Sequence, residues 1–287
     1  MMRRAGRERG ATVVGMHAIG VELARVPETT LWTLYHRAVE ARRPDAVLHD
    51  PMAVALVERI DFPFAERFGG GEGLSQWQGL RARRFDDAVR RFLEDHPDGT
   101  VVALGEGLET QLWRVDNGRV RWVSVDLPEV AALREALLPR HERQRIVARD
   151  ALDPGWMDEA DGSTATLVTA QGLLMYLRPD DVHGLVAGCA KRFRGGALVF
   201  DAIPRWLAEA SSRGRLKTRT GYEPPAWTWW LDRDEERRLG ELPDVAEVRT
   251  LRLPRGRGLV HGWLLPLASV VPGLRRQLLS VRLARFV

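Results

Sequence analysis

An α/β fold, with a mostly parallel sheet and helices on both faces, is predicted by three features of the sequence. Short apolar runs alternate with helix-period segments from Thr100 onward, one of those runs leads into a glycine turn and then a helix, and the part of the chain before Thr100 is helical in period. With 287 residues, 45% of them hydrophobic, the chain can bury the core of one elaborated domain.

The helical part comes first. Leu31, Leu34, Tyr35, Ala38 and Val39 recur at helical spacing and predict a helix over 28–42. Asp50 before Pro51 reads as an N-cap followed by a first-turn proline, opening a second helix through Ile60. After the glycine-rich stretch 69–73, a third helix over 80–93 turns Phe85, Ala88, Val89 and Phe92 to a core, and Pro97-Asp98-Gly99 ends it. Strands are predicted at 101–104, 121–125, 144–148, 166–170, 197–200, 247–253 and 259–265, seven in all, with crossover helices at 108–114, 128–138, 178–191 and 232–239. Residues 1–27 are expected to form a flexible N-terminus, 28–98 a helical cap of the same domain, and 99–287 the sheet-bearing core. Within that core the segment 203–230, rich in proline and tryptophan, is expected to lie as an insertion, or lid, over the ligand edge of the sheet.

Composition narrows the function. No run approaches the roughly 20 apolar residues that cross a bilayer, and the start lacks an apolar signal core, so a soluble, cytoplasmic protein without a membrane partner is expected. Cys189 is the single cysteine, and no Cys/His cluster has zinc spacing, so neither a disulfide nor a metal is expected. The net charge of +4 comes from arginines spread along the chain, Lys191 and Lys217 being the only lysines. That pattern reads as a solvated surface rather than a nucleic-acid face. A monomer or homodimer acting on a small molecule is the expected form.

The glycine turn carries the chemistry. Val101–Leu104 runs into Gly105-Glu106-Gly107 and a helix, a geometry in which backbone can approach a nucleotide closely, and Asp126 ends the next strand, where a carboxylate accepts from a ribose diol. The third glycine of a dinucleotide fingerprint falls at Thr110, and no G-x-x-x-x-G-K-[ST] is present. A ribose-bearing cofactor without phosphates fits better, and S-adenosyl-L-methionine is the common one. Asp150, after the third strand, can receive an adenine amino group, and Leu127 and Ala151 join the expected cofactor contacts. The structural alternatives are a plain tight turn at the glycines, a helix cap at Asp126 and a turn cap at Asp150.

Several blocks together resemble the leucine carboxyl methyltransferase family, particularly its bacterial branch of carboxyl O-methyltransferases in polyketide biosynthesis. They are Arg37-Ala38-Val39-Glu40 with Asp50-Pro51, Arg81, Leu104 to Thr110, Val125-Asp126-Leu127-Pro128, and Gln171-Gly172-Leu173-Leu174-Met175-Tyr176-Leu177. The resemblance implies a Rossmann-like class I methyltransferase fold using S-adenosyl-L-methionine. It implies that Arg81, with Arg37, pairs with the cofactor carboxylate, that position 171 receives the cofactor amino group, and that Tyr176 orients the acceptor carboxyl. The family has Gly-Ala-Gly-Leu-Asp-Thr-Arg where this chain has Gly105 to Gln111, and a glutamate where it has Gln171, an uncharged and weaker acceptor.

In-line methyl transfer to a carboxylate needs positioning and a dry pocket rather than a general base, and the seven scattered histidines are assigned no role. Tyr222, Trp227, Trp229 and Trp230 are expected to flank a flat acceptor, the alternative being that they pack the insertion onto the sheet. Rival readings are methylation of a protein C-terminal carboxyl, methylation of a phenol, and a non-catalytic S-adenosylmethionine-binding module.

Overall fold

The computed structural model describes residues 27–160 and 164–287; the expected flexible stretch lies, apart from Pro27, outside them. Four helices come first: α1 (Glu28–Ala41), α2 (Pro51–Arg59), α3 (Phe64–Phe68) and α4 (Glu72–Asp95). Asp50 caps α2 by accepting from the Ala53 amide at 3.0 Å, with Pro51 in the first turn as expected. α4 starts well before the expected residue 80. Its early polar residues Ser75, Gln76 and Gln78 are buried, so a hydrophobic pattern could not reveal them; Ser75 Oγ, for example, lies 2.9 Å from His36 Nδ1.

The remaining elements are β1 (Thr100–Leu104), α5 (Gln111–Val115), β2 (Arg121–Asp126), α6 (Pro128–Leu137), β3 (Gln144–Ala148), β4 (Thr166–Ala170), α7 (Pro179–Arg192), β5 (Ala197–Ala202), α8 (Arg205–Ser212), α9 (Arg233–Gly240), β6 (Val245–Leu251), α10 (Leu265–Val270), α11 (Pro272–Arg275) and β7 (Ser280–Phe286). They build one seven-stranded sheet in the order β3-β2-β1-β4-β5-β7-β6, parallel except that β7 runs antiparallel to both its neighbours. The strand expected at 259–265 is instead a π-helical turn, Val260–Leu264, leading into α10. Pro266, which cannot serve a sheet ladder, sits comfortably in a first helical turn. The seventh strand is β7. Its Arg282 is buried through an ion pair with Glu236 at 2.8 Å, which disguised the strand as a polar segment.

Buried clusters cover both faces of the sheet. Trp156, Phe193, Phe200 and Trp229 belong to one, and Phe85, Val101, Trp122 and Val199 to the other. The strand order reverses between β1 and β4, which opens a crevice at the carboxyl ends of the strands. Register then sets the site: Leu104 lies opposite Val125 and Ala170, and Ala170 opposite Phe200. The next residue on each strand, namely Gly105, Asp126, Gln171 and Asp201, falls along a single edge.

The helical cap is docked to that edge by buried ions. Asp50 accepts from Thr110 Oγ1 at 2.7 Å and pairs with Arg114 at 2.8 Å and Arg37 at 3.3 Å. Arg114 also grips both oxygens of Asp86 on α4, at 2.8 and 3.0 Å, and reaches Glu109 at 2.8 Å. Burial raises the Asp86 carboxyl pKa, with Arg114 pulling the other way. At Arg114 itself burial favours proton loss, but Asp86, Glu109 and Asp50 outweigh it and raise the pKa well above the ordinary value. Breaking such a set strands uncompensated charge. Arg114→Leu is therefore expected to cost about 3–5 kcal/mol in denaturant unfolding. Arg119→Ala, at an exposed pair with Asp98 that solvent screens, is expected to leave the unfolding midpoint nearly unchanged. Equal small losses for both would mean that the buried set does not hold the cap.

Candidate functional site

The turn after β1 is built from backbone. Gly105 and Gly107 have φ of +58° and +56°, values that residues with a Cβ rarely adopt. The Gly105 amide donates to Val125 O at 2.8 Å, and the Gly107 amide donates to Asp126 Oδ2 at 2.6 Å. A Cβ on Gly105 would come within 3.1 Å of Leu173, and one on Gly107 within 3.2 Å of Thr30, so the loop also has little room for side chains. Arg134 of α6 supports the turn from beneath, donating to Gly107 O at 2.5 Å and Glu109 O at 3.0 Å and pairing with Glu106 at 2.9 Å. Burial raises the Glu106 pKa against the pull of Arg134.

A cavity opens beside this turn, walled by α1, α4 and the ends of β1, β4 and β5. Two ion pairs lie in its wall. In the first, Arg37 Nη1 meets Glu109 Oε2 at 3.1 Å while Nη2 donates to Leu108 O at 2.8 Å and Nε faces Asp50, so every nitrogen of Arg37 is engaged. In the second, Arg81 Nη1 meets Asp201 Oδ2 at 2.7 Å, and Asp201 Oδ1 accepts from the Gly172 amide at 2.7 Å. Arg81 Nε is buried without a hydrogen-bond partner, so this guanidinium keeps donor capacity. Gly172, at φ +73°, lets the chain pass close to Arg81; a Cβ there would lie 3.1 Å from Arg81 Nη1.

Gln171 bridges toward the first pair. Its Nε2 donates to Glu109 Oε2 at 3.1 Å, and its Oε1 is buried without a partner. Burial disfavours the ionised form of Glu109, but Arg37 and Arg114 prevail and hold its pKa at about 2. The family's carboxylate at position 171 is thus replaced by an amide, while the firmly ionised Glu109 stands next to it.

The cavity brings together Arg37, Arg81, Gly105, Gly107, Gln171, Tyr176 and Trp227 from the sequence-predicted set. Asp126, Leu127, Asp150 and Ala151 lie outside its lining. Both Asp126 oxygens accept from backbone, Oδ2 from Gly107 and Oδ1 from Leu127 at 2.9 Å. Burial raises the Asp126 pKa and these two amides oppose the shift. Asp150 is exposed and accepts from the Leu152 amide at 2.9 Å, while the Ala151 carbonyl accepts from Trp156 Nε1 at 2.9 Å.

The aromatic expectation divides. Tyr176, whose hydroxyl pKa is raised by burial, and Trp227 face the cavity, and the amide of the next residue, Thr228, donates to Met175 O at 2.8 Å. Tyr222 is instead buried in the cap against Phe68, with ring centroids 4.9 Å apart. Trp229 is a core residue whose Nε1 donates to Glu235 at 2.7 Å. Trp230 is held beside Asp232 and under Arg205, whose guanidinium lies 5.6 Å from the ring centroid. Closeness in sequence does not determine the side to which each ring turns, so these three pack the segment rather than line the cavity. Sequence reasoning missed Trp32, Trp77, Asp201 and Glu109. A signal for Asp201 existed: it is an acidic residue at a strand end, like Asp126.

A model of the leucine carboxyl methyltransferase family matches residues 30–190, from α1 to α7, including the glycine turn and the Gln171 block. The tetracenomycin polyketide synthesis O-methyltransferase of Streptomyces glaucescens is 34% identical over 202 residues, which cover 70% of this chain and 74% of that protein. An S-adenosyl-L-methionine-dependent methyltransferase of Gibberella zeae is 30% identical over 202 residues, covering 63% of this chain and 67% of that one. The chain belongs to the leucine carboxyl methyltransferase family and is an S-adenosylmethionine-dependent methyltransferase.

Proposed function

We propose that the protein methylates a carboxylate oxygen of a small aromatic acid of the polyketide kind. One observation carries this reading: among the described residues the cavity wall holds no histidine, and each of its acids is paired with arginine, Glu106 with Arg134, Glu109 with Arg37 and Asp201 with Arg81. No side chain there is free to take a proton from an acceptor, and a carboxylate acceptor has none to give. Trp32, Trp77, Tyr176 and Trp227 offer flat apolar surface to an aromatic acid. The likeness to the tetracenomycin polyketide synthesis O-methyltransferase supports transfer to an oxygen of a polyketide-like molecule.

The residues present fit the methyl donor. The positive-φ glycines leave a side-chain-free cradle, and the orphaned Gln171 Oε1 and Arg81 Nε belong to an acceptor and a donor residue of the same cavity wall. Arg81 would hold the donor's carboxylate, with Arg37 setting the charge behind it. Gln171 Oε1 and Glu109 would take its ammonium group. Asp126 retains lone pairs for a ribose diol beyond the two that its backbone bonds use, with Leu127, Asp150 and Ala151 on the adenine side. When bound, the sulfonium supplies an electrophilic methyl group and a neutral thioether leaving group. Tyr176 then orients the acceptor by its hydroxyl, and the aromatic wall keeps water from competing.

Three outcomes test this reading. Arg81→Lys keeps a charge beside Asp201 but loses the planar fork, and calorimetry should show about tenfold weaker S-adenosylmethionine binding; unchanged affinity would remove Arg81 from the donor site. Tyr176→Phe should lower kcat/KM toward an aromatic acid by about 10- to 100-fold while cofactor affinity stays within about twofold, and unaltered turnover would reduce Tyr176 to packing. In the parent protein kcat/KM should be flat from about pH 6 to 9. The acceptor carboxylate is ionised throughout that range, Glu109 keeps its charge down to about 2, and burial keeps the Tyr176 hydroxyl protonated. A rate that climbs about tenfold per pH unit toward alkaline pH would identify a phenol acceptor instead.

A further inference from the structure

After Glu247 the chain carries eight arginines and no aspartate or glutamate. The π-helical turn, α10 and α11 lie in this stretch and are anchored from one side. Arg257, just before the turn, pairs with Glu40 at 2.6 Å, the Gly256 amide donates to His261 O at 3.0 Å, and His261 Nδ1 lies 3.4 Å from Gln76. The other side is apolar and open. Leu259, Trp263 and Leu267 are 68%, 60% and 60% exposed with Val260 and Leu264 beside them at 51%, and across the extended break at Val271 the patch goes on through Val270, Val271 and Leu274 at 53%, 46% and 52%. Single exposed apolar residues are ordinary on protein surfaces, whereas a run of exposed large apolar residues over one short segment marks a binding face.

The charges around the patch select its occupant. Arg252, Arg255 and Arg276 flank it in sequence and are exposed, with no carboxylate partner among the described residues, and Arg255 lies 5.7 Å over the Trp263 ring. Two copies of this chain meeting across a two-fold axis would bring like-charged rims together. An anionic lipid surface satisfies both parts, the patch entering the boundary between headgroups and acyl chains while the arginines meet phosphates.

We propose that the patch formed by Leu259, Trp263, Leu267, Val270, Val271 and Leu274 seats the protein on an anionic bilayer surface. Such attachment lies in the plane of the interface and needs no spanning helix, and none of the described helices is long and apolar enough to span. The segment leads directly to the cavity: Leu279 lines its wall, and the neighbouring Gln277 carbonyl accepts from Trp206, itself 50% exposed, at 3.0 Å. A seated protein therefore holds its cavity close to the phase into which apolar acids partition.

Co-sedimentation of the full chain tests this, using vesicles of phosphatidylcholine alone and vesicles with about 30% phosphatidylglycerol. Binding to the anionic vesicles should be at least about tenfold tighter and should weaken in about 0.5 M salt. The double variant Trp263→Glu/Leu267→Glu should lose binding with an unchanged melting temperature, since both side chains are exposed. Arg255→Gln/Arg276→Gln should erase most of the preference for anionic lipid. No binding by the parent, or equal binding by the Trp263→Glu/Leu267→Glu variant, would overturn the proposal. A parent dimer that this variant converts to monomer would assign the patch to a second copy and overturn it as well.

Discussion

The side chains of two arginines and three carboxylates, Arg37, Arg114, Asp50, Asp86 and Glu109, are at most 7% exposed where the helical cap meets the sheet. Ions in such a place are tolerated only as a complete set, because each pays a desolvation cost that only its partners offset. The set draws on α1, the start of α2, α4, α5 and the turn after β1, so these elements must be in place together. Two members also face the cavity. Arg37 and Glu109 link the geometry of the donor site to the docking of the cap, and a shift of α1 or α4 would be felt at Gln171 through its 3.1 Å contact with Glu109.

Much of the sheet was legible because its first five strands are short apolar runs separated by helix caps and glycine turns. The glycine turn was equally legible, since its spacing from a buried strand is a local property. What stayed hidden depended on partners distant in sequence. The first turns of α4 are polar and buried by bonds to α1 and to residues near 257; Arg282 in β7 is buried by Glu236; and the stretch 259–271 is apolar yet exposed, so it imitated a strand. The same reasoning holds at the site. Arg37, Arg81 and Gln171 were found from family blocks, whereas Asp201 reaches Arg81 only through the register of β4 against β5, and Trp32 and Trp77 reach the cavity only because of how α1 and α4 lie over the strand ends.

The replacement of the family glutamate by Gln171 changes the charge balance of the wall without leaving it acidless. A carboxylate at 171 would stand beside Glu109 and compete with it for Arg37. With an amide there, Glu109 is held by Arg37 and Arg114, and Gln171 uses its NH2 group to join that pair while presenting its oxygen elsewhere. The cavity therefore faces a ligand with paired charges plus uncommitted polar atoms, Gln171 Oε1 and Arg81 Nε among them.

The place of β7 within the sheet bears on how the protein is made. β6 touches the sheet only through β7, and β7 separates it from β5. A ribosome releases β5 and β6 before β7, so for that interval β5 presents an open ladder edge and β6 has no strand to pair with. Nascent chains in this state offer the kind of edge on which other chains add. Closure comes when β7 enters between them in the antiparallel sense and pairs with both at once.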